Sequence, residues 1–300
     1  NGGRFSADAS KLLINSNESG IYNVYEIDIE TGKKTMLTNS TEESYFGSSY
    51  FPNDNRFIFS FDKGGNENSQ LHLMTEDGEV VALLAGDTMR SNFWGWSKDD
   101  KTMFISSNKR DARFMDVYEM SITSIDAAKP ELELLYQNND GINVGAISPN
   151  RNYFALRQTI TNADSKMYLY DKSTGEKKDI SVHEGDANYS PQFFSLDNKE
   201  LYYLSDLDSD FMYLAKYDIQ SGSVEKVYTD DWDVSYAYQS KSEKYRVIGI
   251  NADAKTVIRI FNNENGEEVI LPEIEGGSIS SISISKGEDL ARLTVSTSAS

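Results

Sequence analysis

The sequence predicts an all-β fold: a seven-bladed β-propeller of four-stranded antiparallel blades, with the last blade incomplete. Three observations point to it. First, one unit recurs along the chain, and its clearest copy is residues 194–229, FSLDNKELYYLSDLDSDFMYLAKYDIQSGSVEKVYT. A Ser precedes a polar turn. An apolar run, Leu201–Leu204, leads into an acidic loop, a Tyr-rich strand ending at Asp218, a turn at Ser221–Gly222 and a last strand to Thr229. With the preceding run Tyr189–Phe194 this makes four short strands separated by turn chemistry. Second, the residue before the first polar turn recurs as Ser6, Phe51, Ser97, Ser148, Ser195, Ser240 and Ser285, at intervals of 45, 46, 51, 47, 45 and 45 residues. A period of about 40–50 residues with four strands per unit is the signature of a propeller. Third, the hairpin between third and fourth strands carries a glycine at Gly32, Gly78, Gly175, Gly222 and Gly266. Asp28, Asp171, Asp218 and Asn262 stand four residues earlier. Asp or Asn opening a turn bonds the backbone just ahead of it, and Gly then takes positive φ without a Cβ clash.

The elements follow in order. Residues 1–5 read as the end of a first strand, and Leu12–Asn15, Val24–Ile29 and Lys34–Thr38 complete the first blade. The second blade spans 47–84 and carries the loop KGGNENS at 63–69. The third opens with NFWGWS at 92–97 and carries NKRDARF at 108–114; its glycine turn is replaced by SITSIDAAKP at 121–130, which accounts for the 51-residue interval. The fourth blade spans 144–180, the fifth 189–229 and the sixth 236–271. The last repeat supplies two strands, Ile279–Ile284 and Leu290–Ser296, which predicts a two-stranded seventh blade with a bare edge. The expectation is one domain over residues 1–300 with almost no helix. The sequence opens inside the repeat pattern, which predicts a trimmed N-terminus.

Propeller topology sorts the loops. First-to-second and third-to-fourth turns share one end of each blade, and they are short and regular. Second-to-third loops and blade connections share the other end, with the variable, charged segments Lys63–Ser69, Asn108–Phe114, Asn162–Lys166 and Asp206–Asp210 and the connections around Glu42, Asp87, Asp140, Asp186 and Asp231. Function on a rigid scaffold concentrates on such loops. The binding or interdomain candidates are therefore Glu67, Asn68, Arg110, Asp111, Arg113, Asp206, Asp208 and Asp210.

Composition excludes some functions. The 300 residues hold 48 acidic and 29 basic side chains, a net charge of −19. Nucleic acid is not an expected partner, because phosphate binding needs clustered Lys and Arg. The absence of Cys excludes disulfides and thiolate chemistry and leaves the compartment open. No apolar run approaches the ~20 residues of a membrane helix.

Several motifs invite chemistry and then fall short. Gly95-Trp96-Ser97 resembles the start of a nucleophile elbow, but the final Gly is missing, Ser97 is a repeat anchor, and the strand–turn–helix context is lacking. No catalytic residue is expected here, since two scattered His leave no Ser–His–Asp set. His72 falls on a third strand; His183 falls in a blade connection and is expected to be exposed. Asp206, Asp208 and Asp210 open like a calcium loop, but Phe211 and Tyr217 stand where that loop needs Gly and Glu, so no metal site or cofactor is expected. Arg110 and Arg113 suit bidentate carboxylate recognition. Tied to Asp111 or Asp116 they order their own loop; facing a cavity they hold a partner or substrate.

The turns SADA, FPND, SKDD, SPNR and SLDN resemble those of the TolB-like, WD-like propeller group. More narrowly, FDKGGNENSQLHL at 61–73, SSNKRDARFMDVYEM at 106–120, MYLYDKSTGE at 167–176 and YYLSDLDSDFMYLAKYDIQSG at 202–222 resemble the N-terminal propeller of bacterial prolyl oligopeptidase-family serine peptidases. That resemblance implies a lid that gates and orients peptide substrate for a C-terminal α/β-hydrolase domain. This chain does not contain that domain. The dipeptidyl branch of the family uses a Glu pair to hold a substrate's amino terminus; Glu42-Glu43 lies in a short blade connection rather than in the insertion the family uses. The resemblance leaves two rivals: a free-standing TolB-like module that binds protein or peptide, and a glycan-acting propeller lyase, which calls for metal-ligating His and a basic groove.

Overall fold

The computed structural model describes residues 3–84, 86, 88–128, 130–275 and 277–297. The fold is an all-β propeller built from antiparallel blades. The chain divides into two compact units, residues 1–140 with 285–290 and residues 141–284 with 291–300.

In the first unit, blade one comprises β1 (Arg4–Phe5), β2 (Lys11–Ser16), β3 (Asn23–Asp28) and β4 (Lys34–Met36). Blade two comprises β5 (Phe46–Tyr50), β6 (Phe57–Phe61), β7 (Gln70–Met74) and β8 (Val80–Leu84). Blade three comprises β9 (Ser91–Trp96), β10 (Thr102–Ser107), β11 (Asp116–Ser121), a short helix α1 (Ile122–Asp126) and β12 (Leu132–Tyr136). The helix replaces the missing glycine turn. Ser121 caps it by accepting the Thr123 N–H, and Ile125 buries into the blade core.

In the second unit, blade four comprises β13 (Asn143–Ile147), β14 (Tyr153–Thr159), β15 (Ser165–Asp171) and β16 (Glu176–Asp179). Blade five comprises β17 (Tyr189–Phe194), β18 (Glu200–Ser205), β19 (Tyr213–Asp218) and β20 (Val224–Tyr228). Blade six comprises β21 (Asp233–Gln239), β22 (Tyr245–Ala252) and β23 (Lys255–Asn262). The pair β24 (Gly277–Ile284) and β25 (Ala291–Thr297) follows.

The expected seven blades are corrected to six, with β24 and β25 as a strand pair beyond them among the described residues. Two strands bury too little of each other to count as a blade. Among the described residues the sixth blade is itself short of a strand. Its fourth position is reduced to a single bridge, Phe261 to Glu268. The segment that follows contains Pro272, which has no N–H for a ladder, and leaves Ile270 exposed. Residues 1 and 2 of the expected first strand, and Asp87, lie outside the described residues.

The repeat anchors explain the period physically. Ser6, Ser97, Ser148, Ser195, Ser240 and Ser285 are all buried. Each hydroxyl accepts a backbone N–H four or five residues on, as from Thr102 to Ser97 at 3.1 Å and from Glu200 to Ser195 at 3.0 Å. Most also donate to an acid or amide two residues ahead: Ser6 to Asp8, Ser97 to Asp99, Ser148 to Asn150 and Ser195 to Asp197, at 2.6–2.7 Å. One hydroxyl thus closes each turn between first and second strands.

The third-to-fourth hairpins close as their sequence predicts. Gly32, Gly175, Gly222 and Gly266 donate their N–H to the carbonyl of the Asp or Asn four residues earlier, each at positive φ. From blade two onward the pairing of first and second strands contains a register shift, for example between Val144 and Ala146 and between Pro191 and Phe193. Such bulges increase strand twist. Near the bulge of blade two, Asn15 accepts the Gly47 N–H at 2.7 Å, and a Cβ on Gly47 would come within 2.9 Å of Val24. Apolar residues of neighbouring blades pack between the sheets: Leu13 and Val24 with Phe57 and Phe59, Ile58 and Leu71 with Met103 and Ile105, Leu204 and Leu214 with Ile248 and Ile250.

Candidate functional site

In the first unit the second-to-third loops of blades two and three carry five of the candidate residues. Lys63–Ser69 turns through Gly64, Gly65 and Glu67, all at positive φ. Its backbone is held by carboxylates: Glu43 accepts the Gly64 N–H at 2.8 Å and Asp62 accepts the Glu67 N–H at 3.0 Å. The Glu43 side chain is therefore engaged in holding a loop. The Glu67 side chain is exposed and that of Asn68 half-buried. The Asn68 N–H donates to Asn66 at 3.0 Å.

Arg110 and Arg113 resolve in favour of loop ordering. Arg110 lays its guanidinium on Asp116, with Nε at 2.7 Å from Oδ2 and a terminal nitrogen at 2.9 Å from Oδ1. A third donor reaches the Asn138 carbonyl at 2.6 Å. Asp116 is fully buried and also accepts the Asn138 N–H at 2.8 Å. Arg113 does the same locally with Asp111, at 3.0 and 2.7 Å. Those bonds hold the Asp111 carboxyl well below its ordinary range. The Arg113 side chain is 75% exposed and sits over the Phe114 ring.

In the second unit the loop end presents Asp206, Asp208 and Asp210. Asp206 accepts the Asn188 N–H at 2.6 Å and so ties the second-to-third loop of blade five to the connection before it. Asp208 and Asp210 are exposed. Among the described residues no group of three or more His, Asp or Glu side chains is placed to hold a metal ion. The same end exposes apolar side chains: Phe211 and Trp232, with ring centroids 6.5 Å apart, and also Ile160 and Val182.

Sequence reasoning misplaced His183. Its side chain is only 6% exposed rather than open to solvent. Nε2 lies 3.2 Å from Asp164 and Nδ1 2.5 Å from the Ser181 carbonyl, with the ring 5.4 Å from that of Tyr189. The neighbouring loop and the blade connection close over the ring, which a linear sequence does not show. His72 is where expected, on β7, stacked on Phe61 at 4.3 Å, and burial lowers its pKa. Ser97 is buried and bonded as an anchor, not presented as a nucleophile. Sequence reasoning also passed over Gln239 and Arg246, which flank the sixth anchor turn and line a cavity. Their signal was present, since an Arg on a second strand faced a Gln beside an anchor.

The sequence profile described as the prolyl oligopeptidase N-terminal β-propeller domain matches residues 37–299. None of the curated proteins matches the chain. Solved structures share the fold, three of them as follows. An oligogalacturonate lyase in complex with manganese aligns with a TM-score of 0.66 and 16% identity, over 99% of this chain and 88% of that one. A peptidase of Mycobacterium tuberculosis that hydrolyses puromycin aligns at 0.65 and 11%, over 97% and 53%. A structure from a study of two prolyl endopeptidases and their inter-domain dynamics aligns at 0.64 and 11%, over 95% and 48%. The chain thus spans about half the length of both peptidase structures.

Proposed function

The chain belongs to the family of prolyl oligopeptidase N-terminal β-propeller domains, and on that premise we propose that it is the non-catalytic propeller of a longer serine peptidase. In this reading it gates and orients peptide substrate for a C-terminal α/β-hydrolase domain. The observation that carries it is the profile match over residues 37–299, nearly the whole propeller. The exposed Phe211 and Trp232 support it, because apolar side chains left at the loop end suit contact with a further domain. So does the buried, fully bonded state of Ser97, which leaves nucleophilic chemistry to another part of the parent protein.

The lyase structure is similar in fold only. Manganese would need a cluster of donors, and the residues present do not fit such an ion. His72 stacks inside a blade and His183 is closed over by a loop.

A serine-directed fluorophosphonate tests the proposal on the parent protein. It should label one serine outside residues 1–300 and stop peptide hydrolysis. Labelling of Ser97, or turnover lost on Ser97→Ala in a protein that remains folded, would overturn it.

A further inference from the structure

At the loop end of the second unit two aromatic side chains stand side by side. Phe211 follows the second-to-third loop of blade five, and Trp232 lies in the connection to blade six. They are 37% and 43% exposed, with ring centroids 6.5 Å apart. Backbone contacts fix their spacing. The Met212 N–H donates to Asp233 at 2.9 Å, and the Val234 N–H donates to the Met212 carbonyl at 2.9 Å. Ser209 donates to the Phe211 carbonyl at 2.7 Å and accepts the Phe211 N–H at 3.3 Å. The rings thus sit on ordered backbone, which leaves a ligand little ordering to impose.

The charge around them has one sign. The segments DLDSDF at 206–211 and TDDWD at 229–233 hold six Asp and no Lys or Arg. Three are engaged: Asp206 with the Asn188 N–H, Asp230 with the Tyr228 hydroxyl and Asp233 with the Met212 N–H. Asp208, Asp210 and Asp231 are exposed, and no Lys or Arg among the described residues pairs with them.

Elsewhere the chain sets its own cations over exposed rings. Lys226 lies 4.0 Å from the Tyr213 centroid in the same blade, and Arg113 lies 5.0 Å from that of Phe114. Phe211 and Trp232 have no such cation among the described residues.

We infer that Phe211 and Trp232 form a docking site for an arginine side chain of an extended peptide. A ring attracts a cation within about 6 Å of its centroid, so rings 6.5 Å apart can share one guanidinium. Trp makes the strongest such contact, and a guanidinium is planar and more weakly hydrated than an ammonium, so it stacks at lower cost. Asp208, Asp210 and Asp231 supply the counter-charge. Rings alone suit any apolar surface; the unpaired acids select a cation. A neutral or acidic surface seated here would take those carboxylates from water without a partner. On the gating reading a peptide admitted to the active site passes this end, which brings an arginine-bearing substrate within reach.

Titration of the 300-residue chain, followed through its tryptophan indole N–H signals by NMR, tests this with defined probes: N-acetyl-glycyl-arginyl-glycinamide and its citrulline and glutamate counterparts. Citrulline keeps the shape of arginine without its charge. Trp232→Phe identifies the Trp232 signal. The arginine peptide should shift that signal saturably and bind about tenfold tighter than the citrulline peptide, and the glutamate peptide should not shift it. Raising NaCl from about 50 to about 300 mM should weaken the arginine peptide about threefold. Phe211→Ala should weaken it about threefold and leave the citrulline peptide unchanged. Joint Asp208→Asn, Asp210→Asn and Asp231→Asn should remove the salt dependence; Asn accepts the positive φ of Asp208. Equal affinity for arginine and citrulline peptides, a shift confined to the Trp94 and Trp96 signals, or no saturable shift overturns the inference. The probe comparison uses the unmodified chain, so it decides the matter whatever the variants do. Binding to this chain alone does not depend on gating, so failure of the site leaves the lid reading standing, and failure of the lid reading leaves the site standing.

Discussion

At the loop end of blade three, Arg110 lies along Asp116, and its third donor takes the Asn138 carbonyl. At the turn end of blade six, Arg246 faces a cavity with a buried nitrogen that nothing accepts from. The two arginines differ in what their blades bring to them. Arg110 meets an acid six residues along its own loop, so its partner was visible in the sequence as one of two outcomes. The Arg246 Nε has no acceptor, although Glu243 lines the same cavity, and Glu200 of blade five is bonded to Tyr202 and Lys216. A charged residue in a variable loop is therefore a poor guide to function when its loop already holds the counter-charge. A charged residue on a regular strand becomes informative when packing leaves one of its donors without an acceptor.

The largest effect should fall on the paired corner. Asp116→Ala strands Arg110 and the Asn138 N–H, and should cost about 3 kcal/mol in urea unfolding. A cost below about 1 kcal/mol would mean that the corner relaxes and that pairing there has little structural importance. Next comes the anchor. Ser97→Ala takes the acceptor from the Thr102 N–H and leaves the Lys101 N–H to Asp99 alone; it should cost about 1–2 kcal/mol, with no effect on peptidase activity of the parent protein.

Arg246→Met and Arg110→Met should then shift the thermal midpoint in opposite directions. The first removes a half-buried cation whose Nε has no acceptor and should raise it slightly. The second breaks a pair and should lower it. Shifts of the same sign would erase the contrast between the two sites.

The anchor and hairpin turns also give an acid limit. Bonds from Ser10 and Ser6 lower Asp8 from 3.8 to about 2, and Asp28, Asp171, Asp197 and Asp218 are lowered by similar turn bonds. A carboxylate with a depressed folded pKa contributes stability that is present above its unfolded value and lost as pH falls through the folded one. Stability should therefore decline between about pH 4 and pH 2, read by circular dichroism. Exposure keeps each contribution small. Smallest of all is Arg113→Ala, which removes an exposed pair and should leave the thermal midpoint unchanged.

Much of the fold was legible because each repeat writes its own turns. The Ser anchors, the Asp–Gly hairpins and the apolar runs need only local chemistry, and the blades follow the repeat. The sixth blade was less legible. Its fourth strand needs a ladder that Pro272 interrupts, and apolar Val269 and Ile270 beside it suggest a strand that does not form. The site was less legible still. The burial of His183 and the Arg246 Nε without an acceptor both arise where a blade meets its neighbour, from residues about 20 to 50 positions apart, and no local pattern encodes such a meeting.

Gating is tested most directly in the parent peptidase. A short and a long peptide with the same scissile bond can be compared by kcat/KM before and after Lys63–Ser69 and Asp206–Asp210 are cut back to two-residue turns. A gating propeller predicts that the intact protein strongly favours the short peptide, and that trimming raises kcat/KM for the long peptide alone. Equal kcat/KM for the two peptides, unaltered by trimming, would contradict it.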